Sequence, residues 1–325
     1  MAVNYPNMLD VARRLDANGK IAMIVEMLAQ QNEILDDMLM IEGNLPVGHK
    51  TTVRKGLPTA TWRKLNYGVA RSKSQTAQIT DFCGMLESYA EVDKKLADLN
   101  GNSAEWRLSE DKAFIEAMNQ EMARTIFYGN LSKPEEFVGF TPRYNDAAAD
   151  SAENIIDGGG TGTDNTSMWL VVWDQLTCHG IFPKGSKAGI TQEDKGNVTL
   201  FDENGNPYEG YRTHYQWDIG LTVRDWRYAV RVANIDVSSL DTTSAADLID
   251  LLISAVHKLP NRKMGRPAIY ANSTILTALD KQTRKATNNT LNYSNVYGQE
   301  VLNFRGIPFR QVDQLLNTEA AVTGL

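Results

Sequence analysis

From Ser109 to Gly129 the positions Ala113, Phe114, Ala117, Met118, Met122, Thr125 and Ile126 recur at three- and four-residue steps, with Lys112, Glu116, Gln120 and Arg124 on the opposite side. That period predicts an amphipathic helix over 109–128. Ser109 suits the free N–H groups of a first turn, and Glu110 and Asp111 suit the positive end of the helix dipole. Gly129 offers the left-handed residue that commonly follows a last turn. At 1.5 Å per residue the helix is roughly 30 Å long, a spine with something packed along one side.

Upstream, Leu9, Ala12 and Leu15 share a face before Asn18-Gly19, and Ile21, Ile24, Val25 and Leu28 make a second stripe. Two short helices cannot bury such stripes alone, so this arm must lie on the body or on another subunit. Met38 to Ile41 turns strand-like. Residues 44–80 contain Pro46, Gly48, Gly56 and Pro58, which exclude helix, among threonines and valines that favour extended chain. A long hairpin-like excursion with little core of its own is expected there.

After the spine the pattern changes. Ala147 to Thr166 is small, polar and Gly-rich and reads as a flexible loop. Trp169 to Thr177 is a buried-looking strand, and Asp202 to Gly205 a turn between two strands. From Tyr215 to Asn234 the chain alternates: Trp217, Ile219, Leu221 and Val223 on one phase, then Trp226, Tyr228, Val230 and Val232 on the other. The slip near Asp225 predicts a bulge or bend. Helices follow over 245–258 and 274–285, separated by a short strand at 268–270. Val301 to Phe304 and Pro308 to Val312 make a closing hairpin around Arg305-Gly306. With no βαβ alternation and no repeat, the class is α+β.

Charge sharpens this layout. The 325-residue chain carries a net −7, yet residues 44–80 hold Lys50, Arg54, Lys55, Arg63, Lys64, Arg71 and Lys73 with no Asp or Glu. The neighbouring stretch from Asp81 to Glu121 is acidic, so the sequence offers complementary surfaces within one molecule or between copies. The excursion, with Trp62 and Tyr67 interleaved, also fits a nucleic-acid arm. The acidic balance elsewhere and the lack of a base-reading motif favour a protein–protein contact instead.

Nothing in the sequence asks to be an active site. Gly180 to Gly189 holds Lys-Gly-Ser without the spacing of a phosphate loop, and Gly158 to Gly162 is not a dinucleotide fingerprint. Cys178 and His179 are adjacent, so on a strand they point to opposite faces. His49, His214 and His257 lack ligand spacing, and no GxSxG elbow is present. No metal, cofactor or catalytic residue is expected. Cys83 and Cys178 read as reduced thiols. The N-terminus has no apolar core fit for a secretory signal, and no run approaches the roughly 20 apolar residues of a membrane helix.

Four strings in the second half, WLVVWDQLTCHGIFPKGSKAG (169–189), VRDWRYAVRVANID (223–236), PAIYANSTILTALDKQ (267–282) and FRGIPFRQVDQLLNTEA (304–320), resemble major capsid proteins of tailed bacteriophages, in particular of short-tailed phages. The resemblance implies the α+β fold shared by tailed-phage and herpesvirus shells. On this chain it implies an N-terminal arm at 1–36 and an extended β-hairpin loop at 37–80. A peripheral domain at 81–150 would carry the spine helix, 109–128. An axial domain at 151–300 would make returns to the peripheral domain, closed by strands at 301–325.

The resemblance also implies hexamers and pentamers of an icosahedral shell enclosing double-stranded DNA, held without sequence specificity. Implied partners are other copies of the chain, a scaffolding protein, a portal protein and a cement or decoration protein, with no membrane. The shell would form in the host bacterial cytoplasm and remain in the virion. A basic excursion lying over an acidic neighbour would favour register and association rate. Lys50, Arg54, Lys55, Trp62, Arg63 and Lys64, with Ile21, Ile24, Val25 and Leu28 of the arm, are therefore the expected subunit-interface residues. No lysine–asparagine crosslink is expected, because Lys50, Lys55 and Lys64 have no recognisable catalytic surroundings.

Overall fold

A computed structural model describes residues 30–98, 103–240, 242, 246–285, 291–296 and 299–325. The arm residues Ile21, Ile24, Val25 and Leu28 lie outside the described residues.

Fourteen strands are described: β1 Met40–Glu42, β2 Gly48–Gly56, β3 Gln75–Phe82, β4 Gly84–Asp93, β5 Ile155–Asp157, β6 Asn165–Trp173, β7 Cys178–Phe182, β8 Thr191–Phe201, β9 Pro207–Val223, β10 Ala229–Asp236, β11 Arg266–Ala271, β12 Leu291–Val296, β13 Gln299–Phe304 and β14 Ile307–Gln311. Twelve join one mixed sheet along the path β12-β13-β14-β11-β6-β7-β9-β4, with β1 on β7, β10 on β6, β5 on β10, and β8 on β9. The remaining two, β2 and β3, pair only with each other.

The core is organised by β6, every residue of which is buried. Trp169, Val171 and Trp173 face one apolar cluster, which includes Met118, Met122, Ile126 and Phe127 of the spine helix. Met168, Leu170 and Val172 face a second, built with the helices Leu248–Lys258 and Ser273–Lys285. The unbroken apolar run is that of a strand covered on both faces, giving helix, sheet and helix pair as three layers. Asp247 caps the first of the pair by accepting from the N–H groups of Ile249 and Asp250. Asn272 caps the second by accepting from the N–H of Ile275 at 3.0 Å.

The spine helix runs from Ser103 to Tyr128, beginning six residues before the predicted Ser109. Arg107 explains the added turns, since it donates to Asp194 at 2.6 Å and Thr213 at 3.2 Å and stacks over Tyr211. Asp111 is therefore inside the helix, buried beside Tyr215, where burial raises its carboxyl pKa. The core-facing stripe differs from the expected one: Ala113 and Ala117 are exposed, and Ala123 and Phe127 are buried. Gly129 ends the helix outside the left-handed region. It is glycine because a Cβ would stand 2.2 Å from the Phe137 carbonyl oxygen and 2.6 Å from that of Thr125.

The Gly-rich stretch after the spine is not the flexible loop expected. It holds a 3-10 turn at Asp150–Asn154 and then β5, parallel to β10. Gly158 and Gly160 then donate to Ala233 and Asn234 at 2.8 and 2.7 Å, so these glycines permit close backbone approach. The slip near Asp225 is the bend rather than the bulge: a 3-10 turn at Trp226–Tyr228 separates β9 from β10. It moves the alternating residues from the first core, at Ile219 and Leu221, to the second, at Val230 and Val232. The turn at Asp202–Gly205 joins β8 to β9, with Gly205 at φ +80°. The closing hairpin is β13 and β14, to which β12 adds a strand that no alternation marked.

Both ends of the described chain meet on the body. Asn32 bridges Val312, Gln31 donates to Asp313 at 3.0 Å, and Arg310 donates to Glu33 at 3.2 Å.

Candidate subunit interface

The β2–β3 hairpin departs from the sheet at a specific root. Gly48 faces Phe82 and His49 faces Asp81 in the antiparallel register. A Cβ at Gly48 would stand 2.1 Å from the Asp81 carbonyl oxygen, so only glycine fits where the strands leave the body. Asn44 clamps this root: its side chain accepts from the Lys50 N–H and donates to the Lys50 carbonyl, both at 2.7 Å. Asp81 is buried and accepts from Arg143 at 2.8 Å, while Arg143 also donates to the carbonyls of Val138 and Leu221. One guanidinium thus ties the hairpin, the segment after the spine helix and β9 together.

Beside this tie, His49 sits edge-on to the buried His179 at 5.7 Å between ring centroids. Burial, then the nearby His49 and Arg224, push the His179 pKa down to about 4, against a smaller upward pull from Asp174. His49 is lowered too, chiefly by burial, with Arg224 lowering and Asp81 raising it. Both imidazoles are neutral at pH 7, and His49 accepts the Asn44 N–H on its Nδ1 at 3.2 Å at the hairpin's base.

Beyond the root the hairpin is bare. The seven cations Lys50, Arg54, Lys55, Arg63, Lys64, Arg71 and Lys73 are exposed. Trp62, at the apex, is as exposed as a free residue, and Leu57, Leu65, Tyr67 and Val69 are also exposed. Residues 57–74 carry no strand; Ser72 donates to the Thr59 carbonyl at 3.0 Å and Tyr67 to that of Lys64 at 3.2 Å. An apex with this many uncovered apolar side chains marks an interaction surface. Charge drew attention to Arg63 and Lys64 but passed over Leu57, Leu65 and Val69, whose only signal was an apolar content without any period.

Part of this charge is paired within the chain. Lys55 reaches a carboxylate of its own chain, Asp150, at 3.8 Å with both groups exposed, a pairing worth little in water. The acidic stretch after the hairpin is also largely committed at home. Glu91 pairs with Arg212 at 2.7 Å, Glu87 with His214 at 3.2 Å, and Asp81 with Arg143. Asp93 caps the helix Lys94–Ala97, and Glu121 holds Arg124. A carboxylate already paired offers less to a neighbour's cation.

Elsewhere among the described residues no catalytic cluster is formed. Among the described residues no group of three potential metal ligands is present, and none of their helices is long and apolar enough to cross a membrane. Cys83 and Cys178 are free, and burial, the leading cause in each, pushes their thiols up to about 11 and about 12.

Comparisons with known proteins give the family. A family model described as major capsid protein GP7 matches residues 16–323. The cryo-EM structure of bacteriophage Epsilon15, a short-tailed phage, superposes with a TM-score of 0.80 at 36% identity, covering 100% of this chain and 99% of that one. The bacteriophage JBD30 capsid gives a TM-score of 0.48 at 9% identity, over 91% of this chain and 100% of its own. The capsid of a native GTA particle gives 0.47 at 9%, over 66% and 94%. A search of curated protein sequences returns no match. With a capsid family spanning nearly its whole length and a fold shared end to end with the Epsilon15 structure, the chain belongs to the GP7 family of phage major capsid proteins, structural subunits rather than enzymes, on the α+β tailed-phage capsid fold.

Proposed function

We propose that this capsid protein assembles as hexamers and pentamers into an icosahedral shell around double-stranded DNA, and that the β2–β3 hairpin is the flap each copy lays on the next. The observation that carries this is Trp62, an indole with no cover from the described residues of its own chain, on a hairpin whose apex is apolar and whose flanks are cationic. Exposed aromatic and Arg side chains of this kind serve as anchors when a partner desolvates them. Lys50, Arg54, Lys55, Arg63 and Lys64 would surround the anchor, and Ile21, Ile24, Val25 and Leu28 of the arm would find cover in the same way.

In this reading residues 1–36 are the arm, 37–80 the extended loop, 81–150 the peripheral domain and 151–300 the axial domain, with 301–325 returning to the peripheral domain. Scaffolding, portal and cement proteins are the expected partners during assembly in the host cytoplasm. The test is a variant with Trp62→Ala, Arg63→Glu and Lys64→Glu, examined by sedimentation and negative-stain microscopy beside the unmodified protein. Shells or capsomers from the parent, and only unassembled subunits of unchanged melting temperature from the variant, are expected. Normal particles from the variant would refute the flap. If they also lost duplex binding, they would point instead to a nucleic-acid arm.

A further inference from the structure

At the end of the sheet where β11 and β14 begin, two loops are forced together. These strands are parallel, with Ile269 opposite Phe309 and Tyr270 opposite Arg310, so the segments preceding them emerge side by side. One is the loop from Leu259 to Gly265, following the helix Leu248–Lys258; the other is the Arg305-Gly306 turn. Between them lies a cleft of about 540 Å³, within the size range of ligand sites.

Four of its lining side chains are His257, Arg262, Lys263 and Arg305, and no Asp or Glu lines it. The floor is apolar, with Val256, Leu259 and Ile307 buried beneath the charges. Local chemistry fixes the shape. Asn261 accepts the Lys263 N–H on its side-chain oxygen at 3.0 Å, turning the first loop. Arg305 and Gly306 have φ of +51° and +82°, the backbone of a tight hairpin turn. Arg305 donates to the ring nitrogen Nε2 of His257 at 3.2 Å and lies 5.5 Å from the Phe304 ring centroid.

Among the described residues Arg262, Lys263 and Arg305 have no carboxylate partner, whereas Arg107, Arg124, Arg143, Arg212, Arg227, Arg231 and Arg310 each hold one. Cations gathered around one concavity in an acidic protein repel one another and attract an anion. A guanidinium fork, an ammonium and a second guanidinium suit phosphate oxygens better than one carboxylate, which would leave most of the charge unmatched.

We infer that this cleft is a phosphate-binding site, taking backbone phosphates of the enclosed nucleic acid or free phosphate. The nucleic-acid source rests on the reading of the chain as a shell around DNA; the phosphate chemistry does not.

The test is anisotropy of a labelled duplex of about 20 base pairs with the full chain, titrated between about 50 and 200 mM salt. The variant combines Arg262→Gln, Lys263→Gln and Arg305→Asn, asparagine being chosen because it tolerates the positive φ. The expected result is about tenfold weaker binding and a salt slope shallower by roughly two to three. A second arm follows the melting temperature of parent and variant in inorganic phosphate against chloride at equal ionic strength. Stabilisation of the parent alone shows that the cleft also takes free phosphate; a duplex effect without it assigns the site to the nucleic-acid backbone.

Unchanged affinity and slope, or weaker binding with an unchanged slope, together with no stabilisation of the parent by inorganic phosphate, overturns the inference. Should the triple variant not fold, Arg262→Gln with Lys263→Gln in the exposed loop carries the same test, with a slope change of roughly two. Particle formation is scored separately by microscopy. A failed shell and a failed phosphate site are thereby told apart.

Discussion

Arg143 donates to Asp81 at 2.8 Å across the place where the β2–β3 hairpin leaves the body, and Asp81 is the more deeply buried of the two. Removing one member of a buried pair strands the other without solvent, a larger loss than the pair's net worth. Arg143→Leu should therefore destabilise the subunit by about 3 kcal/mol and expose the hairpin root to proteolysis. Replacing both, as Asp81→Asn with Arg143→Leu, should recover part of that loss. Denaturant unfolding and the position of the first proteolytic cut measure the two effects.

The C-terminal segment is fastened by a second buried pair. Arg231 donates to Glu319 at 2.9 Å and to the Tyr144 carbonyl at 2.9 Å, and lies 5.4 Å from the Trp169 ring centroid. Glu319 also accepts from Ser167 and from the hydroxyl of Tyr128, the last residue of the spine helix. Arg231→Met should cost about 3–5 kcal/mol and release residues 315–325, read as faster amide hydrogen exchange there. Glu319→Gln, whose amide oxygen can still accept from Ser167 and Arg231 while its NH2 group donates to the Tyr128 hydroxyl oxygen, should cost less.

His179 sets a pH limit on the body. Its folded pKa of about 4 lies below the usual 6.5, so between those values the unfolded chain binds a proton that the folded chain refuses. Stability from this group is complete above pH 6.5 and is lost as pH falls towards 4, by up to about 3 kcal/mol. His179→Leu should flatten that part of a stability–pH curve measured by urea unfolding. An unchanged slope would show that other groups set the acid limit.

Gly129→Ala tests the tight closure of the spine. The added methyl would meet the carbonyl oxygens of Phe137 and Thr125, and forced overpacking of this kind costs about 1–3 kcal/mol. A lowered melting temperature with unchanged helix content is expected. Had Gly129 been a left-handed cap, asparagine would substitute with little loss; here Gly129→Asn should be at least as damaging as Gly129→Ala.

Much of this architecture could be read from the chain because local pattern and burial coincide. The run at Trp169–Trp173, the alternation of Trp217, Ile219, Leu221 and Val223, and the stripe at Met118, Met122 and Ile126 each name a face that the fold does bury. Legibility stops where distant partners decide. The extra turns before Ser109 depend on Arg107 meeting Asp194, 87 positions away. Gly158 and Gly160 look like a loop until β10 is laid beside them. At the interface, lone cations and Trp62 were visible as exceptions to composition. The Asp81–Arg143 tie was not, since neither residue is unusual until the hairpin root brings them together.

The meeting of Asn32 with Val312, and the Arg231–Glu319 clasp, also set a timetable. A nascent chain emerging from the ribosome has every strand in hand before the stretch from Val312 to Val322 exists. Until that stretch arrives, Asn32 has no bridge to Val312 and the end of the spine helix no bond to Glu319. Closure of the body therefore waits on a stretch made after every strand that it fastens.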